Sequence, residues 1–125
     1  MKKTIDTKGA PKAIGPYSQA IAVSDFVFTA GQIALVPETG LMVLGDVAEQ
    51  AKQVLENIKA IIEASGMTMM SIVKTTVYLT KPEDFPALNE VYTQYFAHEP
   101  PARTTIFVNS LPKNGLVEID AIAKK

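Results

Sequence analysis

The sequence predicts an α+β fold in which two helices cover one face of a mixed β-sheet. Only two segments repeat apolar residues at helical spacing, whereas the other ordered segments alternate as strands do. These segments follow the order strand, strand, helix, strand, helix, strand, strand, which is typical of this fold class. At 125 residues, the chain is predicted to form one domain, residues 1–125, with a core of its own.

The N-terminal part of the chain is predicted to be rich in strands. Met1 to Ile5 is predicted to form a short edge strand, and the glycines and prolines between residues 8 and 16 predict a loop with turns. Two β-rich runs follow, Ser18 to Val23 and Phe26 to Ile33, and the dipeptide Ser24-Asp25 joins them. This pattern predicts a β-hairpin with Asp25 in its turn.

The clearest helix is predicted between Asp46 and Gly66. Asp46 can accept a hydrogen bond from a backbone N–H of the first turn, and Glu49 can return a capping bond. Gly66 supplies the left-handed residue that ends many helices. The apolar residues in between share one helical face, and they are Val47, Ala51, Val54, Leu55, Ile58, Ile61 and Ile62.

The second half of the chain adds one strand, one helix and two final strands. Ser71 to Thr80 alternates as a strand, and a helix is predicted to begin at Asp84 or Phe85. Its apolar face comprises Leu88, Val91, Tyr92, Tyr95 and Phe96. Pro100-Pro101 prevents the helix from continuing, and the last two strands follow.

The last two strands carry the residues that point most directly to a function. Arg103 shares one face of its strand with Thr105 and Phe107. In the final strand, Val117, Ile119, Ala121 and Ala123 form one side, and Leu116, Glu118, Asp120 and Ile122 form the other. We expect Arg103 and Glu118 to point away from the helices, on the less apolar face of the sheet. A planar cation with a carboxylate nearby indicates a site for a small molecule.

Each candidate residue also has an ordinary structural alternative. Arg103 can extend into solvent from a strand end, and Glu118 and Asp120 can form salt bridges at the rim. Tyr17 can be a half-buried loop aromatic, and the only histidine, His98, can be a solvated residue at a helix end.

The connection between the last two strands limits how Arg103 and Glu118 can meet. If these strands formed a tight hairpin, the two residues would lie about 20 Å apart. They share one cleft only if the strands pair differently or if the cleft lies between subunits.

One face of the predicted sheet has no helix to cover it. We expect this face to carry Ile72, Tyr78, Phe107, Leu116 and Ile122. Because a contiguous apolar patch usually marks an interface, the sequence predicts a homo-oligomer closed through the sheet.

Composition argues against several other classes of protein. The net charge is −1 and no basic run is longer than a lysine pair, so nucleic-acid binding has no obvious electrostatic source. The chain has no cysteine, no N-terminal signal segment and no apolar run long enough to span a bilayer, so we expect a cytoplasmic protein. A single histidine cannot build a histidine-rich metal site or a Ser-His-Asp relay within one chain.

Several segments considered together resemble one known family. They are Ala13-Ile14-Gly15-Pro16-Tyr17-Ser18-Gln19, Ala30-Gly31-Gln32-Ile33, Val73-Lys74-Thr75-Thr76-Val77, Asn89-Glu90-Val91-Tyr92, Pro101-Ala102-Arg103, Leu111-Pro112-Lys113 and Val117-Glu118-Ile119. Over essentially its whole length, the chain resembles the RidA/YjgF family of reactive-intermediate deaminases.

The resemblance implies a chorismate-mutase-like α+β fold with a six-stranded mixed sheet. It also implies a homotrimer with inward-facing sheets and three ligand clefts at the subunit interfaces. In this topology the last strand inserts between the first core strand and the middle one, instead of pairing with its predecessor.

The resemblance implies an enzyme that hydrolyses 2-imino acids and their enamine tautomers, such as 2-iminopropanoate and 2-iminobutanoate, to 2-oxo acids and ammonia. It implies neither a cofactor nor a metal. Arg103 would hold the substrate carboxylate, Glu118 would act on the attacking water, and Tyr17 would line the cleft. Ala30, Gly31, Asn89 and Thr105 would complete the substrate site.

Two of these positions depart from the family pattern, because many members have serine where this chain has Ala30 and cysteine where it has Thr105. Phe107, Asn109 and Ser110 also replace residue types common in the family. Two alternatives therefore stay open: a non-catalytic relative that binds small carboxylates, and a protein acting on RNA or as a chaperone, for which the sequence gives little support.

Overall fold

The computed structural model describes residues 1–125 and contains one mixed sheet with two helices packed on one side. The strands are β1 (Lys3–Ile5), β2 (Ala20–Val23), β3 (Phe26–Thr29), β4 (Ile72–Leu79), β5 (Ala102–Phe107) and β6 (Val117–Lys124). The helices are α1 (Val47–Ala64) and α2 (Phe85–Tyr95). The strand order across the sheet is β1-β2-β3-β6-β4-β5, which confirms the predicted α+β class.

The predicted hairpin joins β2 to β3 through Ser24 and Asp25. Ser24 has a φ of 53°, in the left-handed region that two-residue hairpin turns need. β3 ends at Thr29, earlier than the predicted end at Ile33, because the next residues form other contacts. The N–H of Ala30 donates to the carbonyl of Gln19, and Gln32 pairs with Ile119 in an isolated bridge.

Helix α1 has the predicted start, stripe and stop. A carboxylate oxygen of Asp46 accepts a hydrogen bond of 3.0 Å from the N–H of Glu49, although the reciprocal bond predicted for the Glu49 side chain is absent. Gly66 follows the helix with a φ of 84°. Every residue of the predicted apolar stripe is buried against the sheet or α2.

The last strand is inserted into the middle of the sheet. β6 pairs antiparallel with both β3 and β4, whereas β5 pairs in parallel with β4 at the edge. Val117, Ile119 and Ala121 are buried in the core beneath the helices, and Glu118 and Asp120 point to the other side. This arrangement agrees with the topology that the family resemblance implied, and it separates β6 from β5.

The predicted direction of Arg103 is wrong. Arg103 lies directly opposite Thr75 of β4, whose buried hydroxyl contacts a side chain of α2. Since opposite residues in a sheet point to the same side, Arg103 faces the helices. Glu118 lies opposite Tyr78, on the other face, so the two predicted residues do not share a face of the sheet. Alternation defines the two faces of a strand, but the register with its neighbour decides which one meets the helices.

A β-bulge at the start of β4 reverses another part of the predicted pattern. Ile72 pairs with Ala123 and Lys74 pairs with Ile122, so Val73 is an extra residue in the strand. Ile72 is therefore buried in the core, and Val73 is exposed.

The face away from the helices is only partly the one that we predicted. Tyr78 and Ile122 lie there, whereas Ile72 is in the core, Phe107 packs against Phe85, and Leu116 packs against the core beside α1. Phe28 and Ile106 lie on this face and are 41% and 40% exposed. We call the set Phe28, Tyr78, Ile106 and Ile122 the outer apolar patch.

Neither helix has the length and hydrophobicity that crossing a membrane requires.

Candidate ligand-binding site

A cleft of ≈ 200 Å³ opens beside the inserted strand and brings together three of the predicted site residues. They are Tyr17, Gly31 and Glu118. The other residues that line it are Pro11, Lys12, Ile14, Gln19, Gln32, Ile33, Leu35 and Pro112. The cleft therefore has one carboxylate, one cation and several apolar side chains, which suits a small polar molecule.

Glu118 reaches this cleft because backbone contacts fix the chain on both sides of it. Gln32 and Ile119 exchange two backbone hydrogen bonds of 2.8 and 3.1 Å, which hold the segment that contains Gly31 alongside β6. The Glu118 carboxyl group occupies the space above Gly31, where an added Cβ would lie 2.9 Å from the carboxyl carbon. Glycine at position 31 therefore leaves room for the Glu118 side chain.

The surroundings of Glu118 make its ionised form less favourable than in water. Burial raises the pKa of the Glu118 carboxyl group, and the negative charge of Asp120 raises it further. Burial also raises the pKa of Asp120, against the opposing effects of hydrogen bonds from Tyr78 and Thr76 and of the Lys74 charge. Asp120 thus accepts hydrogen bonds from neighbouring side chains, whereas Glu118 accepts none. A carboxylate of this kind is suited to accept a proton from water.

Tyr17 enters the cleft from the turn-rich loop. The N–H of Tyr17 donates to the carbonyl of Gly15 at 2.8 Å, and its hydroxyl oxygen accepts from the N–H of Ile14 at 3.3 Å. The residue is 50% exposed and lines the cleft. These contacts fix the ring at the mouth of the cleft.

Two cleft residues had no predicted role. The amide of Gln19 is buried and ties the preceding loop in place, because it donates to the carbonyls of Thr7 and Pro11 at 3.0 and 2.9 Å. Lys12, carried by that loop, is the only cation lining the cleft. Gln19 stood among the residues carrying the family resemblance, but no local pattern gave it a role, and nothing in the sequence set Lys12 apart from other surface lysines.

Arg103 lies away from this cleft, at the opposite face of the sheet. Its guanidinium carbon is 4.7 Å from the ring centroid of Tyr92 and 5.6 Å from that of Phe85, both on α2. The side chain forms no ion pair and donates no hydrogen bond within the chain. Its N–H groups are therefore available to an anion from outside the chain.

The other predicted residues divide between the two locations. Thr105 lies opposite Val77, two residues from Arg103 and on the same face. Asn89 lies on α2, between Phe85 and Tyr92 in the sequence. Its side-chain oxygen is buried without a hydrogen-bond partner. Ala30 precedes Gly31 but does not line the cleft. His98 is exposed beyond the end of α2 and lines neither location.

The predicted site residues thus fall into two groups on one chain, and we call these groups half-sites. The first, with Tyr17, Gly31 and Glu118, has a carboxylate suited to act on water. The second, with Arg103, Thr105 and Asn89, has a cation suited to bind a carboxylate. The sheet lies between them, so a single chain does not apply both to one small ligand.

Comparison with known proteins adds independent information. Residues 7–125 match the model of the family described as endoribonuclease L-PSP. The chain is 54% identical to a RutC family protein of Pyrococcus horikoshii, with 100% of this chain and 99% of that protein covered. It is 46% identical to the human 2-iminobutanoate/2-iminopropanoate deaminase, with 98% and 90% covered. The crystal structure of Escherichia coli TdcF with bound serine superposes with a TM-score of 0.95 at 44% identity, with 98% of each chain covered.

Proposed function

Because the chain belongs to the endoribonuclease L-PSP family, which is the YjgF/RidA family, we propose that it hydrolyses 2-imino acids to 2-oxo acids and ammonia. The proposed substrates are 2-iminopropanoate, 2-iminobutanoate and their enamine tautomers. The names of the human and bovine relatives support this reaction. The serine bound to TdcF supports a ligand with a carboxylate next to a carbon that bears nitrogen.

The observation that carries the proposal is the position of Glu118. Its carboxyl group is half-buried at a cleft that Tyr17 also lines, and burial together with Asp120 raises its pKa. A general base is most effective when its pKa lies closer to the working pH than that of an ordinary carboxylate. An acid in this environment is more consistent with proton transfer than with a structural salt bridge.

In the proposed reaction, Arg103 holds the substrate carboxylate through two parallel N–H bonds and so fixes the adjacent imine carbon. Water attacks that carbon of the protonated imine while Glu118 accepts a proton from the water, and the C=N electron pair moves to nitrogen to give a neutral carbinolamine. Glu118 returns this proton to the nitrogen, which makes it a good leaving group. The C–N bond then breaks as the hydroxyl oxygen forms the C=O bond, and the hydroxyl proton passes to the Glu118 carboxylate and on to solvent. Ammonia and the 2-oxo acid are the products.

The reaction requires two chains, because Arg103 and Glu118 belong to different half-sites. We propose a homotrimer in which Arg103 of one chain completes the cleft that contains Glu118 of its neighbour. The outer apolar patch supports this assembly, since no helix covers it and two of its side chains, Phe28 and Ile106, are exposed in a single chain. A cyclic trimer closed through this face would hide the patch and form three equivalent clefts.

The assembly predicts the mass in solution and its dependence on the outer apolar patch. We expect sedimentation equilibrium to give three times the chain mass of 13.5 kDa. Phe28→Asp should shift the mass toward one chain, because it places a charge in the apolar interface. Leu44→Asp is the matched control, since Leu44 is 93% exposed on a loop outside the sheet. A wild-type protein of single-chain mass would contradict the assembly.

The space above Gly31 predicts a variant that loses activity while its fold is kept. In Gly31→Ala the new methyl group displaces the flexible end of Glu118 rather than backbone, so the free energy of unfolding should change by less than about 1 kcal/mol. The deamination rate should fall by about 10²-fold, because the base is moved from its working position. Gly115→Ala is the control, as its Cβ meets other atoms only at 3.5 Å or more. Wild-type activity in Gly31→Ala would contradict this role of Glu118.

The carboxyl pair predicts how the rate depends on pH. The rate should fall as pH falls through the raised pKa of Glu118, because a protonated carboxyl group cannot accept a proton from water. Asp120→Asn removes one cause of that raised pKa, so the acid limb of the rate profile should move to lower pH. The exposed Asp25→Asn, on the β2–β3 hairpin, controls for the change in net charge. If the acid limb of Asp120→Asn stayed in place or moved to higher pH, the charge of Asp120 would not be a cause of the raised pKa of Glu118.

A coupled assay tests the function itself. Threonine and an excess of threonine dehydratase generate 2-iminobutanoate, and semicarbazide competes for it before it hydrolyses. We expect the purified protein to increase 2-oxobutanoate at the expense of the semicarbazide adduct. Calorimetric binding of 2-oxobutanoate without any such increase would instead favour a non-catalytic carboxylate-binding protein.

Location in the cytoplasm stays a prediction from the sequence.

A further inference from the structure

The guanidinium of Arg103 rests on an aromatic support built by helix α2. Phe85 and Tyr92 are seven residues apart, which places them two turns apart on one face of the helix. The guanidinium carbon lies 5.6 and 4.7 Å from their ring centroids, within the range of a cation–π interaction. Both rings therefore stabilise the cation from the helix side.

Each ring is itself held by a neighbour. The hydroxyl groups of Tyr92 and Thr75 are 2.7 Å apart and hydrogen-bonded, and Thr75 is the residue directly opposite Arg103 in β4. The Phe85 ring packs against Phe107, 6.3 Å away between centroids and two positions beyond Thr105 on the same face of β5. A residue of β4 and a residue of β5, the strand that carries Arg103, thus support the two rings.

An aromatic support leaves the N–H donors of the guanidinium group free, and an acidic partner does not. A carboxylate would occupy the guanidinium N–H groups, whereas a ring face attracts the charge and uses none of the donors. No acidic side chain pairs with Arg103, so the cation is held in place with its donors unused. Such a group is oriented for an incoming carboxylate before the ligand arrives.

We propose that Phe85 and Tyr92 are positioning residues that orient Arg103 for the carboxylate of the 2-imino acid. This inference rests on the proposed function, in which Arg103 is the carboxylate-binding group. The rings act on ligand affinity through Arg103 and do not touch the reacting carbon.

The test compares substitutions of Phe85 in the full assembly, because Phe85 is only half-buried and Tyr92 is 6% exposed in the core. Phe85→Met keeps most of the bulk and removes the π face, and Phe85→Trp provides a stronger one. Calorimetry with 2-oxobutanoate should give a Kd raised about 2- to 30-fold in Phe85→Met, with kcat nearly unchanged. Phe85→Trp should bind at least as tightly as Phe85→Tyr, and both more tightly than Phe85→Met.

Tyr95→Met is the matched control, since Tyr95 lies on α2 and bonds Glu56 of α1 instead of Arg103. The positioning role would be overturned if Phe85→Met had the wild-type Kd. It would also be overturned if the Kd values of the variants correlated with their melting temperatures and not with the presence of an aromatic ring at position 85. A wild-type protein that neither binds 2-oxobutanoate nor accelerates its formation would overturn the proposed function, and with it this inference. The two failures are therefore distinguishable.

Discussion

Arg103→Ala is expected to lower kcat/KM for 2-iminobutanoate by about 10²- to 10³-fold, the cost of removing one partner from a charge-assisted hydrogen-bonded pair. The Arg103 guanidinium has no partner within its own chain, so its removal leaves no buried charge behind and should leave the fold intact. Arg103→Lys should recover only part of the loss, because lysine keeps the charge but lacks the planar pair of donors. The measurement is the competition between the protein and semicarbazide for the imine.

Lys59→Ala serves as the control for Arg103→Ala, since it removes a cation on α1 that lines neither half-site. We expect it to retain the wild-type rate. If Arg103→Ala also retained that rate while staying trimeric, Arg103 would not be the carboxylate-binding group.

Glu118→Gln is the second substitution with a large expected effect. Glutamine keeps the shape of the side chain above Gly31 but cannot accept a proton from water at neutral pH. The rate at saturating imine should therefore fall by about 10²- to 10⁴-fold, the usual contribution of a general base. The Kd for 2-oxobutanoate should stay near the wild-type value, because Arg103 still binds the carboxylate.

The control for Glu118→Gln is Glu63→Gln, the same change at an exposed position on α1. A Glu118→Gln protein that kept its rate but lost affinity would assign Glu118 to binding rather than to proton transfer.

The elements that the sequence predicted well are those whose signals are local. The cap at Asp46, the stripe along α1 and the stop at Gly66 depend on residues within a few turns, and all three are present in the structure. The faces of β6 were also predictable, because Val117 and Ile119 alternate with Glu118 and Asp120 inside a strand that has one apolar side.

What the sequence did not predict depends on pairing between distant strands. The alternation along β5 separates Arg103 from Thr104, but only the register with Thr75 shows that Arg103 faces α2. The bulge at Val73 likewise follows from its pairing with β6 and has no local signal.

The sequence singles out candidate residues one by one, but it does not show how they are arranged. The motif residues Tyr17, Gly31 and Glu118 do come together in one cleft. Arg103 lies away from that cleft, on the helix side of the sheet, and no local pattern along β5 indicates this placement. The support under Arg103 was also not predictable, because Phe85 and Tyr92 look like ordinary core positions of an amphipathic helix.

The central claim, that Arg103 of one chain and Glu118 of another form one active site, is tested most directly by mixing two inactive variants. Arg103→Ala and Glu118→Gln are unfolded together in equal amounts, refolded, and checked by native mass spectrometry for mixed trimers. If the site is shared, about a quarter of the clefts contain both functional residues, and about that fraction of the wild-type rate should return. Mixed trimers with no recovered activity would contradict the shared site.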